Sequence, residues 1–178
     1  MLKFQALDES HARSILNWKY PAPDDRYNFD PQNIERDLLD LLDRKNAFFA
    51  LLNPQNELEA YCSFSVDGRV PGGCYSDDAI DIGMGIRPDL VGRGLGKDYA
   101  RAVVGYGAKR YRAKYLRVTI ARFNQRALKV WQTLGFETVE IFKKMGTQEN
   151  FIVMTLKVIS SGCPTQSIET TDSNNIVE

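Results

Sequence analysis

The stretch IRPDLVGRGLGK, Ile86 to Lys97, constrains this chain more than any other: an apolar strand-like run ends at a proline, and glycines at 92, 94 and 96 lead straight into a helix-like run. Pro88 has no N–H to donate and biases Arg87 toward extended backbone, so it suits the place where a strand stops. The glycines open backbone conformations closed to other residues and leave no Cβ between the main chain and a ligand. Because a helix follows at once, its free N–H groups and the positive end of its dipole face the loop, an arrangement suited to phosphate. Each such charge-assisted bond contributes roughly 1.5–3 kcal/mol, so several together anchor a pyrophosphate. On this stretch alone, a glycine-rich turn with no ligand is the alternative. Two other phosphate loops do not fit. A Walker A loop needs glycine where Val91 stands and Ser or Thr where Asp98 stands. The dinucleotide fingerprint needs GxGxxG early in a βαβ unit, and GRGLGK differs.

A chain of 178 residues, 43% hydrophobic and 26% charged, has the size and composition of one soluble globular domain. No apolar run approaches the roughly 18 residues of a membrane span, and Asp8 and Glu9 arrive too early for a signal peptide, so the expected location is cytoplasmic. The 23 basic residues balance 23 acidic ones, which points to neither nucleic acid nor a membrane surface as partner and makes any anion site local. Cys62, Cys74 and Cys163 are widely spaced with no CxxC, against a disulfide framework or a zinc site. His11 is the only histidine and reads as a surface helix residue, so no metal site is expected.

The element order follows from periodicity. LKFQAL (2–7) reads as a strand, with Asp8 as N-cap of a helix carrying Ala12, Ile15 and Leu16. YPAPDDRYNFDP breaks any helix, and IERDLLDLLDRK places Ile34, Leu38, Leu41 and Leu42 on one helical face. AFFALLN and ELEAYCSFSV form a hairpin about NPQN, and AIDIGMGI (79–86) is a further strand. GLGKDYARAVVGYGAKRY is the long helix, YLRVTIAR a strand, NQRALKVWQTL a helix capped by Asn124, and FETVEIF and NFIVMTLKV are closing strands. This predicts an α/β class, more narrowly an α+β mixed sheet of about seven strands flanked by about four helices. Residues 1–158 are expected as the domain and 159–178, rich in Ser, Thr and Asn, as a polar tail.

The spacing Ile86, Pro88, Gly92, Gly94, Gly96, followed about thirty residues later by NQRALKVWQTLGF, resembles the GNAT superfamily of acyl-CoA-dependent N-acetyltransferases, as does the element order to about residue 158. The resemblance implies acetyl-CoA as co-substrate, its pyrophosphate bound by the backbone of Gly92, Arg93, Gly94, Leu95, Gly96 and Lys97. It also implies a pantetheine arm pairing with Met84 and Ile86 like an added strand, a contact to the coenzyme from Asn124, and the Met84 N–H at the developing oxyanion. Gly83 and Gly85 suit a bulge or close backbone approach in the same strand, and tight helix-on-sheet packing explains them equally.

An amine attacks a thioester only when neutral, yet a lysine-like ammonium has a pKa of about 10.4, so some group takes a proton. Asp81 matches the position of the base in many relatives; Asp77 and Asp78 are alternatives, and a surface aspartate at a strand start is an ordinary explanation too. Trp131 stands where relatives carry a tyrosine acid, and its spacing with Leu128 and Leu134 reads first as core. The resemblance places the acceptor between the first two helices, where Trp18, Tyr20, Tyr27 and Phe29 are the candidates for a small-molecule or protein amine. A homodimer is compatible with the sequence. A non-catalytic acyl-CoA-binding module is the second reading. The cations at 109, 110, 112, 114 and 117 suit a helix C-terminus better than an RNA surface.

Overall fold

The structure is a computed structural model that describes residues 2–158, so the expected tail 159–178 and Cys163 lie outside the described residues. Strand β1 (Lys3–Ala6) leads to helix α1 (Glu9–Leu16), where the Asp8 carboxylate accepts the His11 N–H at 2.9 Å as the expected cap. Helix α2 (Ile34–Leu42) buries Leu38 and Leu41 against Ala12, Ile15 and Leu16, forming with Phe48 a small core. The hairpin of β2 (Phe49–Leu52) and β3 (Leu58–Ser63) turns where the Asn53 side chain accepts the N–H groups of Gln55 and Glu57 at 3.0 and 2.9 Å.

The run expected as one strand, 79–86, is two. β4 (Ala79–Asp81) lies parallel to β6 (Tyr115–Ala121), whereas β5 (Gly83–Ile86) lies antiparallel to β3. The chain therefore passes from one sheet to the other at Ile82. The result is two four-stranded sheets, β1-β2-β3-β5 and β4-β6-β8-β7, rather than one sheet of about seven strands; β7 is Glu137–Lys143 and β8 Asn150–Lys157. The larger core joins them. Helices α3 (Gly96–Tyr111) and α4 (Gln125–Thr133) contribute Tyr99, Ala100, Val103, Leu128 and Trp131 to it, packed with Phe49, Leu51, Leu116, Val118 and Met154. Four α-helices thus flank the strands among the described residues, and the mixed α/β class holds. Among the same residues no helix is long and apolar enough to cross a membrane.

The fork at Ile82 has a specific anchor. Asp81 and Arg117 are register partners on β4 and β6 and each is only 3% exposed. The Arg117 guanidinium donates Nε–H to Oδ1 at 2.5 Å and Nη2–H to Oδ2 at 2.8 Å, and Arg69 donates to Oδ2 at 2.7 Å. Arg117 Nη2 also reaches the Ser76 carbonyl at 3.0 Å, and the hydrogen bond and charge of Asp81 push its pKa above the ordinary arginine value. Removing one member of a buried pair leaves its partner uncompensated, which costs about 3–5 kcal/mol. Asp81→Asn is therefore expected to lower the urea-unfolding free energy by about 3 kcal/mol. A change below about 0.5 kcal/mol, the size usual for surface substitutions, would show that the pair does not hold the fork.

Candidate active site

Between β5 and α3 part of the backbone has no protein partner among the described residues. Leu90 and Val91 donate their N–H groups to the carbonyls of Arg87 and Pro88, and Asp98 and Tyr99 donate to that of Leu95. Between them, from Gly92 to Lys97, no main-chain N–H donates to a protein acceptor among the described residues. Gly92 and Gly94 each have φ of 81°, in the left-handed region, and alternation of hand along a loop turns successive N–H groups into a concavity that suits an anion. A Cβ built on either glycine would meet nothing within 4 Å, so the space before the loop is open. Gly96 opens α3 without a side-chain cap from Leu95, and its own Cβ position lies 3.5 Å from Val130 and 4.0 Å from Ile86. The uncapped helix end thus adds its dipole to the loop amides. Arg93 and Lys97 are exposed on this loop.

Next to it runs an open strand edge. The Arg87 N–H donates to the Glu59 carbonyl at 2.8 Å, and among the described residues β5 ends its sheet with only β3 beside it. Alternate residues of an antiparallel strand point their amides to opposite edges, so Gly83 and Gly85 face β3 while Met84 and Ile86 face away from it. The Ile82 N–H, on that same outer edge, still reaches the Arg117 carbonyl at 2.8 Å. Beyond it the two sheets part, leaving the Met84 and Ile86 main chain in the wedge. The Tyr20 hydroxyl donates to the Ile86 carbonyl at 2.8 Å.

The connection between α1 and α2 spans this wedge. Tyr20 ties one end to β5. At the other, Asp24 pairs with Arg126 of α4, and the Asn124 amide donates from Nδ2 to the Tyr27 hydroxyl at 3.2 Å. Asn124 also caps α4 as expected, its Oδ1 accepting the Ala127 N–H at 3.1 Å. Tyr27 stacks on Phe123 with centroids 5.9 Å apart. Burial pushes the phenols of Tyr20 and Tyr27 up, the Asn124 hydrogen bond opposing the shift in Tyr27. Trp18 and Phe29 belong to the small core, Trp18 lying 5.8 Å from the Tyr61 ring, so they anchor the connection while the two tyrosines reach the wedge.

Asp81 sits differently from what a base requires. Its oxygens are filled by Arg117 and Arg69 and it is buried, which leaves a substrate ammonium no open oxygen to approach. Asp77 is exposed, 3.9 Å from Arg69, and Asp78 accepts the Ser76 hydroxyl, a bond that holds its carboxyl below the usual range. Arg117 leaves the expected basic cluster, being buried against Asp81, and Arg110 lies over the Phe49 ring at 5.1 Å. Trp131 is 5% exposed and meets Phe136 edge-on at 5.0 Å, as a core residue does.

Three residues that sequence reasoning passed over line the other face of the fork. A Cβ on Gly83 would lie 2.5 Å from Ser63 Oγ and 3.4 Å from Asp67 Oδ2, and one on Gly85 would lie 2.3 Å from the Tyr61 ring. The paired glycines were the available signal. They mark close approach, and the approaching groups are the side chains of β3 and of the turn that follows it.

The profile of the acetyltransferase (GNAT) domain matches residues 2–137. Comparison with curated proteins gives no match. Among solved structures, the chain is similar to a chimera of the spermidine N-acetyltransferase SpeG from Vibrio cholerae and hSSAT, with a TM-score of 0.69 at 17% identity over 88% of this chain and 95% of that one. It is likewise similar to a GNAT-family acetyltransferase from Bacillus anthracis, with a TM-score of 0.67 at 15% identity over 88% and 94% of the two chains. A dodecameric spermidine N-acetyltransferase from Vibrio cholerae gives a TM-score of 0.63 at 16% identity over 88% and 93%. With the profile spanning both the divided strand and the glycine-rich loop, the chain belongs to the GNAT acetyltransferase family.

Proposed function

We propose that the protein transfers an acetyl group from acetyl-CoA to a primary amine by direct attack within a ternary complex. The observation that carries this reading is the run of partnerless amides from Gly92 to Lys97 lying beside the open edge of β5. Coenzyme A offers a diphosphate to the first and an extended amide-bearing arm to the second, and the residues present fit both. The amides of Gly92, Arg93, Gly94, Leu95, Gly96 and Lys97 hold the diphosphate, with the side chains of Arg93 and Lys97 as counter-charges. Met84 and Ile86 pair with the arm as a strand would. The Ile86 carbonyl already accepts the Tyr20 hydroxyl, so Tyr20 shares that acceptor or yields it as the arm enters. Asn124 contacts the arm from the α4 side of the wedge.

The Met84 N–H is a fixed donor toward the thioester carbonyl, and charge that grows on that oxygen during attack strengthens the bond. The departing thiol has a pKa of about 8.5, so it leaves as thiolate without an acid, which fits Trp131 as core rather than proton donor. The acceptor enters under the α1–α2 connection, where Tyr20 and Tyr27 line the wedge and Trp18 and Phe29 hold the segment in place. Spermidine is a reasonable first acceptor to try, since the fold neighbours include spermidine N-acetyltransferases, although identities of 16–17% support the fold alone. The alternative, an acyl-CoA-binding module without turnover, is favoured by the engagement of Asp81 in its ion pairs.

Thiol release separates the two readings. With acetyl-CoA and a panel of spermidine, aminoglycosides, amino acids and N-terminal peptides, amine-dependent release of coenzyme A is expected; stabilisation by coenzyme A without release would favour the binding module. Gly94→Ala tests the loop. A left-handed conformation costs a non-glycine residue about 1–2 kcal/mol, and the open surroundings let the loop relax when free, so the cost falls on binding. Coenzyme A is expected to bind roughly tenfold more weakly by calorimetry, and unchanged affinity would remove the loop from the site. Trp131→Phe is expected to keep most of the turnover while losing about 1–2 kcal/mol in urea unfolding, and a collapse of kcat with coenzyme binding intact would restore a chemical role.

A further inference from the structure

We propose that Asp67 takes the proton from the attacking ammonium, an assignment that rests on the acetyltransferase reading above. The turn Val66–Gly68 follows β3 and sits directly on the fork: a Cβ on Gly68 would lie 3.0 Å from the Ile82 carbonyl carbon and 3.2 Å from the Gly83 nitrogen. That close approach is tight for any side chain at 68, and it brings the Asp67 carboxylate over Gly83, the residue before Met84. Ser63, fully buried and paired in register with Gly83, donates its hydroxyl to Asp67 Oδ2 at 3.1 Å. One oxygen is thus oriented from below. Oδ1 has no hydrogen-bond partner among the described residues, and Asp67 as a whole is exposed. Gly83 and Gly85 leave the surface beside it without side chains of their own, on the face that also carries the Tyr61 ring.

This is the contrast with Asp81, one strand position from the fork. Asp81 has its lone pairs spent on guanidinium groups, whereas Asp67 has a single neutral donor and no cation bonded to it among the described residues. Although Asp67 is exposed as a residue, its Oδ2 lies against Ser63 and Gly83, and desolvation there pushes its carboxyl up; the Ser63 hydrogen bond lowers it, and the charge of Asp40 on α2 raises it further. Tyr61 on β3 is the other titratable group whose charge interacts with it, and its phenol is itself pushed up by burial. Ile82 and Gly83 bring no titratable group to the contact. A raised carboxyl pKa moves proton affinity toward that of a useful base.

The step balances. Asp67 takes one proton from R–NH3+, giving R–NH2 and the carboxylic acid. The nitrogen lone pair then attacks the thioester carbon, and the C–S bond breaks. The thiolate carries off the electron pair, and the second nitrogen proton goes to it. Returning the Asp67 proton to solvent completes the turnover.

The test compares the full-length wild type with Asp67→Asn and Ser63→Ala, using spermidine and the primary-amine panel as acceptors. Asp67→Asn is expected to lower kcat/KM about 100-fold and abolish the acid limb of its pH profile, with the affinity for coenzyme A unchanged. Because a raised carboxyl pKa means that the ionised form disfavours the fold near neutral pH, Asp67→Asn should leave the urea midpoint unchanged or higher; a merely structural carboxylate would lower it. In Ser63→Ala the lowering hydrogen bond is gone, so the acid limb should move to higher pH. Turnover by Asp67→Asn within about threefold of wild type, or an acid limb that persists, would overturn the assignment while leaving the acetyltransferase reading intact. A loss accompanied by weaker coenzyme binding or lower stability would also overturn it. If the wild type binds coenzyme A but acetylates no amine of the panel, the reading falls and Asp67 falls with it.

Discussion

The parting of two sheets at Ile82 is the constraint on which the rest of the molecule depends. A strand edge inside a protein normally finds a partner, because an unpaired buried amide costs about 1–3 kcal/mol. Here β5 stays unpartnered on one side, among the described residues, because its continuation, β4, is committed to β6 through parallel pairing and the ion pair of Asp81 with Arg117. The last shared hydrogen bond, from the Ile82 N–H, is accepted by the carbonyl of Arg117, the same residue whose side chain holds Asp81. Arg117 therefore fixes where the sheets stop being one. Everything that follows, from the free Met84 and Ile86 amides to the wedge beneath the α1–α2 connection, is placed by that residue.

Much of this was legible in the sequence where a local rule decides the outcome. Asp8 and Asn124 cap the helices they precede, Gly92 and Gly94 take the left-handed conformation their loop needs, and Trp131 falls on the buried stripe of α4. These depend on neighbours within a few residues. The division of the run 79–86 was not legible, because AIDIGMGI is apolar or glycine but for Asp81 and periodicity carries no information about which partner each half pairs with. Parallel pairing with β6 and antiparallel pairing with β3 are decided by residues 20 to 40 positions away in the chain.

The site residues divide along the same line. Backbone donors such as those of 92–97 follow from glycine spacing, so the loop could be read; side-chain chemistry at the fork could not. Asp81, Asp77 and Asp78 look alike in a sequence, and only the fold assigns Arg117 and Arg69 to the first and Ser76 to the third. Tyr20 and Tyr27 were legible as aromatics in the right segment, but not as the two whose hydroxyls meet opposite sides of the wedge.

The placing of side chains at the fork thus follows from what the glycines exclude. At Gly83 and Gly85 β5 gives up its own side chains on one face, and the vacated positions are taken by groups from β3 and its turn. Such a substitution weakens a strand taken alone, yet it lets one short segment serve three surfaces at once. Its inner edge completes a sheet, its outer edge presents bare amides, and its side-chain-free face receives Tyr61, Ser63 and Asp67. A residue with a side chain at position 83 would push Ser63 away and close the space beside Asp67, while leaving the hydrogen bonding of β5 to β3 formally possible. The composition of this strand is accordingly set less by what the strand needs than by what has to stand next to it.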